Sequence, residues 1–175
     1  MVAGVAVVVA VGVVAWLLLR GGDGGQRSSR AHSAQSLVPR LVGVEQLRAY
    51  ASARGPVYWA GMRPRTMLEF SRRPSGTFVR YLPDGAEAGQ KRARLTVATY
   101  ALPDALAAVE RSGRAKGARL TRLPGGGVAV TSLATPDNAY VAYPGRPVQV
   151  EVFDPRAGRA LALVRAGRVV PVATR

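Results

Sequence analysis

"AYVAYPGRPVQVEVF", Ala139 to Phe153, decides the fold class. Two β-branched and aromatic runs flank Pro144-Gly145-Arg146, a connection far too short for the crossover that a parallel pair needs. The runs therefore read as neighbouring antiparallel strands. In the second, Val148, Val150 and Val152 fall on one face and Gln149, Glu151 and Phe153 on the other, because side chains alternate along a strand.

The same pattern extends outward. "ARLTRL" and "GVAVTSL" precede the pair, joined by Pro124 to Gly126, and Thr135 to Asn138 reads as the next connection. Further upstream stand "PVYWA", "TMLEFS", "TFVRYL" and "LTVATY", with Pro74-Ser75-Gly76 as a hairpin turn. Three helical stretches punctuate these strands. "VGVEQLRAYASARG" puts Val44, Leu47 and Ala51 on one side and stops at Gly55. "PDALAAVERSGRAKG" starts at Pro103-Asp104 and turns Ala105, Leu106 and Val109 inward. "DPRAGRALALVRAG" offers Asp154 as N-cap, Pro155 in the first turn and Gly167 as the stop. The order is helix, four strands, helix, four strands, helix. It predicts an α+β domain: one antiparallel sheet with about three helices covering one face. The αββββ unit occurs twice, which raises a duplication, although side-chain identity between the halves is negligible.

Ahead of this domain, Val2 to Leu19 is an uncharged run closed by Arg20, long enough at about 1.5 Å per residue to cross a bilayer. No basic residue precedes it and no small-x-small cleavage site follows closely, so it reads as an uncleaved transmembrane helix rather than a leader. Trp16 suits the interfacial edge. Arg20 to Ser36 has no apolar period and reads as a flexible tether. The predicted organisation is an anchor over 1–20, a linker over 21–37 and a domain over 38–175. Taken literally, Arg20, Arg27, Arg30 and Arg40 after the apolar run place the domain in the cytoplasm. Basic residues ahead of Met1 would reverse that orientation, and an extracytoplasmic domain is the expectation carried forward.

Composition narrows the chemistry. The 175 residues hold 25 basic and 10 acidic side chains, a net charge of +15. There is no cysteine, which excludes disulfides, thiolate nucleophiles and zinc-thiolate sites. The one histidine, His32, falls in the linker, so Ser-His-Asp chemistry has no base within the domain. No metal or cofactor is expected. The positive field favours a polyanionic partner. Its candidate binding residues are Lys91, Arg92 and Arg94 before one strand, and Arg111, Arg114 and Lys116 around one helix end. The catalytic alternative is a hydrolase using paired carboxylates. Of Glu69, Asp84, Glu87, Glu151 and Asp154, the second suits a turn and the last a cap, and of the other three Glu69 and Glu151 lie within strands, where they could face a cleft or solvent. A third reading is a cytoplasm-facing domain that holds nucleic acid or anionic lipid, with nucleic acid the less favoured partner. "PGGGV" lacks the Lys-Ser/Thr of a phosphate loop, and "TFVRY" lacks the glycine-aromatic start of an RNA-binding strand. Tyr58, Trp59, Tyr81, Tyr100, Tyr140 and Tyr143 read as packing between sheet and helices rather than as a stacking surface.

At "GPVYWAG", "FVRYLPDGAEAG", "LTVATY" and "YVAYPGRPVQVEVFDP" the chain resembles a group of uncharacterised actinobacterial single-pass membrane proteins. The resemblance implies a membrane segment preceded by basic residues, a flexible linker and an extracytoplasmic domain. It brings no activity and no catalytic residue. The expectation is thus a membrane-anchored, non-catalytic binding module. Its partner would be an anionic envelope polymer, a lipid headgroup or another envelope protein.

Overall fold

The computed structural model of the protein describes residues 37–174; the stretches expected to be an anchor and, but for Leu37, a linker, with His32, lie outside the described residues. Among the described residues no helix is long and apolar enough to cross a membrane. The elements are β1 (Leu37–Val42), α1 (Val44–Arg54), β2 (Tyr58–Trp59), β3 (Thr66–Arg73), β4 (Gly76–Pro83), β5 (Thr96–Ala101) and α2 (Ala105–Ser112). They continue with β6 (Ala118–Arg122), β7 (Val128–Ser132), β8 (Thr135–Ala142), β9 (Val148–Phe153), α3 (Arg159–Arg165) and β10 (Val170–Pro171).

Eight strands form one antiparallel sheet in the order β1-β3-β4-β5-β9-β8-β7-β6. The α+β class, the antiparallel pairing and the three helices agree with the sequence reading. Two meanders, β3-β4-β5 and β7-β8-β9, face each other across the β5–β9 seam. The outer place that β6 fills on one side is filled on the other by β1 rather than β2. Instead, β2 pairs with β10 in a separate two-stranded sheet.

Several local expectations are corrected. The first structured segment is the strand β1, not a helix, and it begins at Leu37, the residue given to the end of the linker. Thr135 to Asn138 belongs to β8, and only Leu133-Ala134 connect it to β7. Pro136 is tolerated because the β8–β9 ladder begins at Asn138, so its missing N–H removes no ladder bond. Asp154 does not cap α3. Its backbone N–H donates to Asp137 O at 3.0 Å, which holds it against the sheet, and the helix starts after Gly158 in a left-handed conformation. The buried Asp154 carboxylate accepts from the Arg156 backbone N–H at 3.0 Å instead.

Helices cover both faces rather than one. On the first, Leu47 and Ala51 of α1 and Ala160 and Val164 of α3 join Phe70, Val79, Val97, Val141, Val150 and Val152 in the main core. On the second, Ala105 and Val109 of α2 pack on Val128, Val130 and Ala142. The strands under α2 are apolar on both faces, so a second cover is required to keep Val128 and Val130 from water. Tyr58, Tyr81, Tyr100 and Tyr140 are all buried and Trp59 and Tyr143 half-buried, so the tyrosines pack rather than present a stacking surface.

The hairpin turn falls on Pro74-Ser75, and Gly76 opens β4 where β5 passes close behind it. A Cβ on Gly76 would overlap the Thr99 carbonyl oxygen and lie 2.9 Å from Tyr100 Cδ1. Gly76→Ala should therefore destabilise the domain by about 1–3 kcal/mol, the usual cost of overpacking against a backbone that cannot give. Denaturant unfolding reads this directly; unchanged stability would contradict the close approach.

Candidate functional site

One line of register crosses the sheet: Glu69 lies opposite Arg80, Arg80 opposite Thr96, Thr96 opposite Phe153, and Phe153 opposite Asn138. Side chains along it share the face that carries α2. The buried Glu69 and the half-buried Arg80 form an ion pair at 2.6 Å. Arg80 Nη2 also donates to Gln90 O at 2.8 Å and Arg92 O at 2.9 Å, and the Gly89 N–H donates to Glu69 Oε2. These bonds fold the β4–β5 loop back onto the sheet and fix the position of Lys91 and Arg92.

The six predicted binding residues are placed as follows. Lys91 and Arg92 are exposed on that folded-back loop, while Arg94 is half-buried with an Nε that finds no partner. Arg111 is exposed in the last turn of α2, and Arg114 and Lys116 are exposed between α2 and β6. The β5 and β6 starts lie at one end of the sheet, since Thr96 and Ala118 both sit beside the end where β8 begins. Between them run β9, β8 and β7, about four strand spacings or roughly 19 Å. The structure thus gathers the six residues at one end, as two patches rather than one. Among the described residues none of the six pairs with a carboxylate; the ion pairs are Arg48–Glu45, Arg80–Glu69 and Arg156–Asp154.

Glu69 and Glu151 share a face, but β4 and β5 separate their strands. Three spacings put them roughly 14 Å apart, beyond the ~5–9.5 Å at which two carboxylates flank one scissile bond. Each is also fully engaged, Glu69 as above and Glu151 in a cluster that sequence reasoning did not assemble. Glu151 is 3% exposed. Tyr100 OH donates to its Oε2 at 2.7 Å, Tyr140 OH to Oε1 at 3.3 Å, and Asn138 Nδ2 to Oε1 as well. Tyr140 stands directly opposite Glu151 on β8, and Tyr100 lies diagonally across on β5. Burial pushes the Glu151 carboxyl above the usual carboxylate range, and the three donors pull it back in part. Burial, and then the neighbouring Glu151 charge, push the Tyr100 and Tyr140 phenols far up. Gln149, next along the same face, is buried with an unpartnered Nε2.

This cluster offers one carboxyl, two phenols and two amides, without a nucleophile or a second base. No group of three or more His, Cys, Asp or Glu side chains among the described residues is placed to hold a metal. Two shallow hollows, of about 500 and 350 Å³, lie beside α1 and β10 and beside β1 and the start of β3; neither is lined by Glu151. On the opposite face, Tyr81 OH accepts from the Ala60 N–H at 2.6 Å and donates to Gly61 O at 3.1 Å, which clamps the β2–β3 loop. Burial pushes that phenol up to about 12.

Comparison with protein-family models, with curated proteins and with solved structures gives no match.

The direction of the Glu151 shift sets a pH dependence. A carboxyl raised in the folded state favours folding most below its ordinary value of 4.5, and that contribution is lost as pH climbs through the raised value. Glu151→Gln removes the titration. The unfolding free energy of the wild type relative to Glu151→Gln should fall as pH rises above about 4.5, by ~1.4 kcal/mol per unit of pKa difference. A difference that stays flat or rises with pH would contradict this assignment.

Proposed function

We propose that the protein is a single-pass membrane protein whose domain is an extracytoplasmic, non-catalytic binding module for an anionic partner, a wall polymer or lipid headgroups. The observation that carries this reading is the gathering of Lys91, Arg92, Arg111, Arg114 and Lys116, exposed and unpaired by carboxylates among the described residues, at one end of a rigid sheet. The loop that carries Lys91 and Arg92 is tied to the sheet by the bonds of Arg80 to Glu69, Gln90 and Arg92, and cations displayed on a sheet end attract polyanions. The distance between Glu69 and Glu151, and the location of the one histidine in the linker, weigh against turnover. The anchor and orientation rest on the apolar run Val2 to Leu19 and on the resemblance described above.

Inorganic polyphosphate titrated onto the full chain in neutral detergent micelles tests the reading. Affinity should fall by about tenfold or more between 50 and 200 mM salt, as expected for several phosphate contacts. Changing Lys91, Arg92, Arg111, Arg114 and Lys116 to Gln should weaken binding and flatten the salt slope. Changing Arg73 and Arg122, at the opposite end of β3 and β6, should leave both nearly unchanged. Salt-independent binding, or an equal loss per charge from either end, would overturn it.

A further inference from the structure

We infer that the basic end of the sheet docks on an anionic lipid bilayer, with Met62 and Leu133 as the side chains that enter it. The inference rests on the anionic-partner reading and names that partner. Beyond the register line through Glu69, Arg80, Thr96, Phe153 and Asn138, β3, β4 and β8 each run three residues further, to Thr66, Pro83 and Thr135. That is roughly 10 Å of projection. The loops at these points are therefore what a flat surface meets first. The β2–β3 loop carries Met62, 60% exposed, and the β7–β8 turn carries Leu133, 85% exposed.

Single exposed apolar residues are ordinary. Here they stand at the two projecting points of one end, on opposite sides of the seam. Each has cations beside it: Arg63 and Arg65 follow Met62, and the Leu133 N–H bonds to Gly117 O at 3.0 Å, next to Lys116. The exposed acids of this end outside ion pairs, Asp84 and Glu87, are outnumbered by the exposed cations outside ion pairs, Arg65, Lys91, Arg92, Arg114 and Lys116. Apolar tips ringed by Lys and Arg suit the headgroup boundary, where the side chains leave water and the cations meet phosphate. A soluble polyanion would engage the cations but leave Met62 and Leu133 in water, which favours the bilayer.

The chain has no cysteine, so one introduced thiol reports one position. Met62→Cys, Leu133→Cys and, at the other end, Ser75→Cys each carry an environment-sensitive fluorophore in the full chain, reconstituted in vesicles with a lipid-borne quencher. In vesicles rich in phosphatidylglycerol, labels at 62 and 133 should shift to the blue and be quenched, while the label at 75 does neither. In phosphatidylcholine alone the shift should be lost. Labels at 62 and 133 that behave like the one at 75, or quenching at 75 instead, would overturn the inference. If polyphosphate then still binds in a salt-dependent way, the anionic-partner reading stands and lipid is the wrong partner. If it does not bind, both fall.

Discussion

Six register positions between β5 and β9, from Thr96 opposite Phe153 to Ala101 opposite Val148, join the two halves of the sheet. Everything else is arranged around them. Val97, Val150 and Val152 are fully buried under α1 and α3 on one face, and Ala98, Tyr100, Gln149 and Glu151 are buried on the other. The two strands lie about fifty residues apart in the chain, so their pairing is long-range and is stabilised only once both meanders exist. This seam also sets the distance between the two basic patches, because one hangs from β4 and β5 and the other from α2 and β6.

A carboxylate at the centre of such a seam is costly to bury, and it is tolerated because its lone pairs are met by Tyr100, Asn138 and Tyr140. The arrangement also discriminates between registers. Sliding β8 or β5 by one residue against β9 would move Tyr140 or Tyr100 to the other face and strand Glu151 without donors. Valine-rich strands pack acceptably in several registers; this network favours one.

The class of fold was readable because it depends on local signals. Alternation in "VQVEVF", Pro74-Ser75 at a hairpin and Gly55 closing α1 each act within a few residues. What escaped depends on distant partners. β1 is a strand because β3 offers it an edge, and β2 leaves the main sheet because β10 returns to pair with it. Asp154 has every local property of a helix cap, yet its backbone bond to Asp137 delays the helix. The basic clusters were legible as composition, whereas their common end and roughly 19 Å separation required the strand order. Glu151 stood out as a charge in an apolar strand, but its three donors lie on two other strands and only the register brings them to it.

The seam and the polar cluster that favours one register of it hold the end of the sheet on which the cations and the two apolar tips are displayed. On this view the Glu151 network is an energetic unit and not a coincidence of packing. A double-mutant cycle between Tyr100→Phe and Glu151→Gln, read by denaturant unfolding near neutral pH, tests this most directly. A coupling energy of about 1 kcal/mol or more is expected, in keeping with a buried hydrogen bond. Strictly additive losses would contradict it.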